Sequence, residues 1–298
     1  NNAYYGNDVE ILACNYQQND VGQSTDAPQW GMTPYLAVNT GNYTGCLDYM
    51  DDEDTYTIST GANTRIEVVT TSPTGSDFDV FVLDSFGFWT LGNFTSNGKE
   101  VSLTSIQGDT YTIVVHNPNY EMGGDYSLII NVVQLADVTI NSILVPNTAQ
   151  AGSPLTINLI IENIGSEQTT QFDVETYLSK DHYIDSSDSL IHTSQKGTIS
   201  SGQQSPHNMN IQLDNQVVEG AYYLCISLNP DKTMDESQYW NNWVCKGIFV
   251  ETPELTTPQF VTQNNLITNQ STYLVEWSAS TSASIPISGY YLAIINFH

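Results

Sequence analysis

Short runs of alternating apolar and polar residues, each ended by a Gly, Asn or Asp turn, recur from Gln17 to about Val133. A side-chain period of two suits a pleated strand with one buried face, and no helix of useful length competes with it. The clear runs are Thr55-Tyr56-Thr57-Ile58, Arg65-Ile66-Glu67-Val68-Val69, Phe78 to Leu83, Thr110 to Val115 and Tyr126 to Ile130. Further along, Leu155, Ile157, Leu159 and Ile161 share one face while Thr156, Asn158 and Glu162 share the other. The expected fold class is all-β, built as tandem sandwiches: a jelly-roll-like module, an immunoglobulin-like one and an incomplete third.

The 298 residues divide as an N-terminal segment 1–16 and sandwiches over 17–135 and 136–250, with the incomplete module over 251–298. The chain carries 33 acids against 6 bases, a formal charge of −27. Such a surface repels phosphate backbones and anionic headgroups, so nucleic acid is excluded as a partner. The apolar runs stay well short of the ~18 residues of a membrane span. The first residues, Asn1-Asn2-Ala3-Tyr4-Tyr5-Gly6, lack a basic region and an apolar signal core, so any leader precedes them.

Four cysteines form two local pairs, Cys14 with Cys46 and Cys225 with Cys245. Their spacings fit neither a zinc ribbon nor a CxxC redox motif. Two disulfides are the economical reading, with buried free thiols as the alternative, and disulfides place the chain outside the cell or at its surface. Cys225 has the strand phase of Tyr223 and Ser227, opposite to Leu224, Ile226 and Leu228. Its bond is therefore expected on the outer sheet face.

The first module carries Gln18-Asn19-Asp20 with Asp26-Ala27-Pro28, then Tyr43-Thr44-Gly45-Cys46-Leu47 leading to Asp51-Asp52-Glu53-Asp54. It continues with Gly75-Ser76-Asp77-Phe78-Asp79 through Asp84 to Gly87, and Gly123-Gly124-Asp125-Tyr126. Over about 115 residues this resembles the bacterial pre-peptidase C-terminal domain, a jelly-roll-like module appended to secreted peptidases and surface proteins. Asp77, Asp79 and Asp84, or the acids Asp51 to Asp54, are candidate calcium ligands. The plainer reading is that they hold turns by accepting backbone amides.

The second module carries Ala136-Asp137-Val138, Ala151-Gly152, Glu162-Asn163-Ile164-Gly165 and Tyr177-Leu178-Ser179-Lys180-Asp181. Ile199-Ser200-Ser201-Gly202, Gly220-Ala221-Tyr222-Tyr223-Leu224 and Asp235-Glu236-Ser237-Gln238-Tyr239-Trp240-Asn241-Asn242 follow. This resembles the cell-adhesion-related domain found in bacteria, an immunoglobulin-like sandwich. The short passage from Leu135 into Ala136 implies stiff coupling to the first module. Asp181, Asp185 and Asp188 lie along one loop and are the best calcium candidates, with His182 and His192 read as surface decoration. Tyr239, Trp240 and Trp243 crowd a turn between the cysteine-bearing strands. They serve as either an interface or glycan contact, or a satellite core that pins the hairpin.

In the third module Thr272 to Trp277, Ser288-Gly289-Tyr290-Tyr291-Leu292 and Ile295 resemble the opening half of a fibronectin type III domain. About three strands stand where ~7 are needed. The missing strands come from a longer polypeptide or from a neighbouring subunit by strand donation.

No GxSxG, HExxH, phosphate-loop or dinucleotide-binding pattern occurs, and the five histidines are scattered. Sequons at Asn42, Asn93 and Asn269 permit N-linked sugar in a secreted chain. The reading is a non-catalytic, secreted, structural or adhesive surface protein, self-associating as a fibre subunit, with no certain cofactor and calcium as the candidate. The alternatives are an accessory region of a secreted peptidase and a calcium-dependent carbohydrate-binding module.

Overall fold

The structure is a computed structural model and describes residues 27, 36–47, 53–72, 77–91, 93–95, 98–118, 123–252, 259–260 and 277–278. Every regular element among them is a strand. The chain is all-β, two sandwiches in tandem, as the period-two runs require.

The first sandwich comprises β1 (Leu36–Ala37), β2 (Gly41–Leu47), β3 (Glu53–Ser59), β4 (Ala62–Thr71), β5 (Asp79–Leu83), β6 (Trp89–Leu91), β7 (Asn93–Thr95), β8 (Gly98–Gln107), β9 (Thr110–His116) and β10 (Gly124–Gln134). They form two five-stranded sheets, ordered β1-β3-β9-β5-β6 and β2-β10-β4-β8-β7. Strand β4 shows why: Thr64, Ile66, Val68 and Thr70 are buried while Arg65 and Glu67 face outward. Ile66 and Val68 meet Tyr56, Phe78, Val80, Ile113 and Leu128 in one core, each large apolar side chain there stabilising the fold by about 1.5–3 kcal/mol.

Two polar groups inside this core are answered. The Tyr126 hydroxyl donates to Asp54 Oδ2 at 2.5 Å and meets the Tyr56 hydroxyl. Burial first, then the Asp54 charge, pushes the Tyr126 pKa well up. Lys99 is buried and pairs with Asp79 and, at 3.1 Å, with Asp77. Two of the acids considered for calcium therefore face an ammonium.

The second sandwich comprises β11 (Val138–Leu144), β12 (Thr148–Gln150), β13 (Pro154–Asn163), β14 (Phe172–Ser179), β15 (Ser189–Lys196), β16 (Gln204–Gln212), β17 (Gly220–Leu228) and β18 (Trp243–Glu251). A three-stranded sheet, β11-β13-β16, packs on a five-stranded one, β12-β18-β17-β14-β15. Leu155, Ile157, Leu159 and Ile161 lie inward on β13 and join Phe172, Val174, Leu224 and Ile226 in a second core. β19 (Gln259–Phe260) pairs antiparallel with β20 (Trp277–Ser278). The run expected from Thr272 is described only at Trp277. The Tyr290–Ile295 run, Cys14 and Asn269 lie outside the described residues.

Candidate interaction surfaces

The joint between the sandwiches is built from the motif residues of the second one. β10 passes into β11 through Leu135, Ala136 and Asp137, all buried. Leu135 donates its N–H to the Asn63 carbonyl at 2.8 Å and accepts amides from Ser166 and Glu167. Asn63, at φ 53° beside the start of β4, reaches across with its Nδ2 to the Ile164 carbonyl at 2.8 Å. The Ser166 hydroxyl donates to the Ala62 carbonyl at 2.7 Å, and Arg65 pairs with Asp235 at 3.2 Å.

Beneath these contacts lies a buried carboxylate. Glu236 is 5% exposed, and its oxygens accept the Val138 amide at 2.8 Å, Asn229 Nδ2 at 2.6 Å and Asn242 Nδ2 at 2.8 Å. Burial raises its pKa against the pull of those three donors. The Asn163 side-chain oxygen accepts the Asp137 and Gly165 amides, while its Nδ2 donates to the Glu167 and Ile199 carbonyls. Asn241 Nδ2 donates to Asp137 Oδ1 at 2.7 Å, and Asp137 Oδ2 accepts the Ser237 hydroxyl at 2.6 Å. A Cβ added at Gly165 would lie 2.4 Å from the Ala136 carbonyl carbon, so only glycine allows the linker this close.

The outer face of the five-stranded sheet carries the disulfide. Cys225 and Cys245 are directly paired across β17 and β18, with Cα atoms 4.0 Å apart. The phase is as expected, since Leu224 and Ile226 face the core, but Cys225 is fully buried rather than open to solvent. Register places Tyr177 of β14 beside it, and covering by neighbours of this size is what alternation alone does not reveal. Cys46 is also disulfide-bonded.

Along the same region Trp243 stands 6.1 Å from Tyr183, whose ring is 4.1 Å from His182, which in turn is 6.3 Å from Tyr223. The three expected contact residues separate here. Trp240 is 74% exposed, and Trp243 is exposed on the strand. Tyr239 is a structural pin: its hydroxyl accepts the Glu236 amide at 3.1 Å and donates to the Met234 carbonyl at 3.2 Å. His182, Tyr183 and Tyr223 join the surface only through folding.

The acids of the β14–β15 loop hold amides. Asp181 accepts the Tyr183 N–H, Asp188 the Asp185 N–H, and Asp185 both the N–H and hydroxyl of Ser187. The Ser187 bonds lower the Asp185 pKa. Among the described residues, no group of three or more His, Cys, Asp or Glu side chains is arranged to hold a metal. Asn42 is exposed on β2, and Asn93 opens β7.

Ser194 Oγ lies 2.9 Å from His207 Nε2. Burial, then Lys196 and His192, lowers the His207 pKa. Basic neighbours are the reverse of the carboxylate that orients a catalytic histidine.

Two further features complete the surface. The turn between β5 and β6 presents Phe86, Phe88 and Trp89 at 83%, 75% and 63% exposure. Asp84 Oδ1 accepts the Phe86 and Phe88 amides, and Asp109 Oδ2 accepts the N–H and hydroxyl of Ser85. Gly87, at φ 84°, supplies the left-handed residue this turn needs. At the far end of the second sandwich, the loops after β14 and β16 border an open cleft of about 730 Å³ that mixes Leu190, Ile191 and Val218 with Lys180, Asp188 and Asp214.

Residues 135–246 match the family model described as CARDB. That is the cell-adhesion-related domain which the Asp137, Asn163 and Glu236 motifs resemble, and its family is non-catalytic. No curated protein matches the chain. Solved structures similar to it include the CARDB domain of a Pyrococcus furiosus protein in complex with di-metal ions. The two share 15% identity at a TM-score of 0.32, over 39% of this chain and 90% of that one. Others are the pre-peptidase C-terminal domain of a Bacillus anthracis collagenase (17%, TM-score 0.30, 32% and 93%) and a domain of a putative cell surface protein from Methanosarcina acetivorans (18%, TM-score 0.32, 39% and 93%). Among the described residues no helix is long and apolar enough to cross a membrane.

Proposed function

We propose that this chain is a non-catalytic extracellular protein whose sandwiches are rigid spacers, and that it is a subunit of a surface fibre. The observation that carries the reading is the joint: a buried, hydrogen-bonded linker with side-chain bonds running from Asn63 to Ile164 and from Ser166 to Ala62. A flexible tether between independent modules needs none of these bonds, because each donor would be satisfied by water. Stiff tandem modules convert residues into reach, and loops at their ends supply contacts while the cores stay fixed. Negative-stain electron microscopy of the purified full chain tests this. Filaments or end-to-end chains of uniform rods support it, and isolated particles at high concentration contradict it.

A second reading rests on the aromatic row of Trp243, Tyr183, His182 and Tyr223. Amphipathic rings of this kind stack on neutral sugars, and the surrounding acidity disfavours anionic ones. Calcium at the Asp181–Asp188 loop belongs to this reading, and there the ion would displace the amides those carboxylates now hold. Calorimetric titration with calcium and with neutral oligosaccharides tests both. Heat lost on Trp243→Ala supports the glycan contact, and silence removes it.

A further inference from the structure

From the buried lysine of the first sandwich we propose that Lys99 Nζ and the Asp79 carboxyl join as an intramolecular amide. The bond would be a covalent crosslink between the two sheets, with Asp77 carrying the proton. It lies within one chain and stands whether or not copies assemble.

The fold sets one amine between two carboxylates. Lys99 lies inward on β8, in phase with Val101, and is the most buried of the chain's 6 bases. Across the sandwich its Nζ contacts Asp79 Oδ1, and Asp77 Oδ1 lies 3.1 Å away. Phe78 between these acids is buried, as are Val80 and Val101 beside them. Both backbones are fixed. The Phe78 amide donates to Ser72 Oγ at 2.9 Å, and Asp79 pairs with His116 of β9. Gly98, at φ 132°, packs so tightly that an added Cβ would stand 1.9 Å from the Thr70 carbonyl oxygen. Reacting groups held in contact on fixed backbones gain the rate of an intramolecular reaction.

The step balances with these three side chains alone. Nζ first gives one proton to Asp79, leaving an amine and a carboxylic acid, the neutral forms that a water-poor site favours. The amine lone pair attacks Asp79 Cγ and the N–C bond forms. Asp77 takes a second proton from the nitrogen and hands it to the hydroxyl on Cγ. The C–O bond then breaks, one water leaves, and Asp77 ends as the carboxylate it was. Its side chain is 52% exposed, which gives that water a way out.

The place of the bond gives it a purpose. Between Asp79 and Lys99 the chain leaves one sheet through β6 and enters the other at β7. An amide at the base of this crossover ties the two sheets covalently. It also replaces a buried ion pair, whose attraction offsets the loss of hydration only in part, by a neutral group.

Mass spectrometry of the full chain, reduced and freed of any N-linked sugar, tests the proposal. Wild type should be lighter than its sequence by one water. After denaturation trypsin should fail at Lys99, so that residues 66–180 stay one fragment carrying the whole deficit. Lys99→Arg and Asp79→Ala should each recover the full sequence mass. Asp77→Ala keeps both partners but removes the proton carrier, a loss of roughly 10²-fold or more in rate, so most of it should remain uncrosslinked. Wild type at its full sequence mass, with the circular dichroism of a folded β protein, makes Lys99 an ion-pair partner only and overturns the proposal. A missing water with Lys99 still open to trypsin overturns it too, since a cyclised aspartyl residue would account for that loss.

Discussion

The two ends of the second sandwich are cut from the same sheets, but one is buried and hydrogen-bonded while the other is left open. At the end facing β10, Glu236, Asn242, Asn163 and Asp137 are buried and hydrogen-bonded, and they clamp a three-residue linker. At the other end Leu190 and Val218 stand exposed around an open cleft. A buried polar network accepts one geometry only, since any shift leaves donors unmet in a medium of low dielectric. The far cleft mixes apolar side chains with Lys180, Asp188 and Asp214 and stays open to water. The buried polar end is a permanent joint, and the open end is free of that constraint.

The largest expected effect comes from removing the joint's central acceptor. Glu236→Ala leaves the Val138 amide and the side chains of Asn229 and Asn242 without their carboxylate. At about 1–3 kcal/mol for each unmet buried group, urea melts should show a loss of about 3 kcal/mol or more. Val218→Glu at the opposite end should leave the melt unchanged.

The disulfide comes next. Cys225→Ala/Cys245→Ala removes a crosslink spanning 20 residues, and the loop-entropy model gives it about 3 kcal/mol. Reduction of the wild type also opens the Cys46 disulfide, so in calorimetry it should destabilise at least as much as the double variant. Gly165→Ala is expected to cost about 1–3 kcal/mol by overpacking against Ala136. It should also open Leu135–Asp137 to proteolysis, a readout that no change at the far cleft would produce.

The smallest effects are titrations, and they run in opposite directions. The His207 pKa is lowered from 6.5 by burial, then by Lys196 and His192, so the unfolded chain binds its proton more readily. Stability should therefore fall as pH drops below 6.5, and His207→Asn should flatten that fall. The Glu236 pKa is raised from 4.5 by burial. Its contribution is present below 4.5 and is lost as pH rises through the higher folded value. Equilibrium unfolding from pH 4 to 8 should resolve the two slopes.

The strands were legible because burial follows period two so closely: Ile66, Val68, Ile157 and Leu159 point inward as alternation requires. The motif residues Asp137, Asn163, Glu236 and Asn242 were legible as a family resemblance, but their purpose was not. Their partners lie up to a hundred residues away, and sequence does not show that all converge on one linker. The aromatic tip left a signal in Phe86-Gly87-Phe88-Trp89 that alternation could absorb as strand. His182, Tyr183 and Tyr223 could not have been grouped with Trp243, because only the register of β17 against β18 and the path of the β14–β15 loop bring them together. The burial of Cys225 likewise depends on neighbouring strands.

Residual dipolar couplings of the full chain, weakly aligned, bear most directly on the stiff joint. Amides of residues 53–72 and 124–134 should fit the same alignment tensor as those of 155–163 and 220–228. Two tensors differing in magnitude or orientation would mean that the sandwiches tumble independently, and the spacer account would fail.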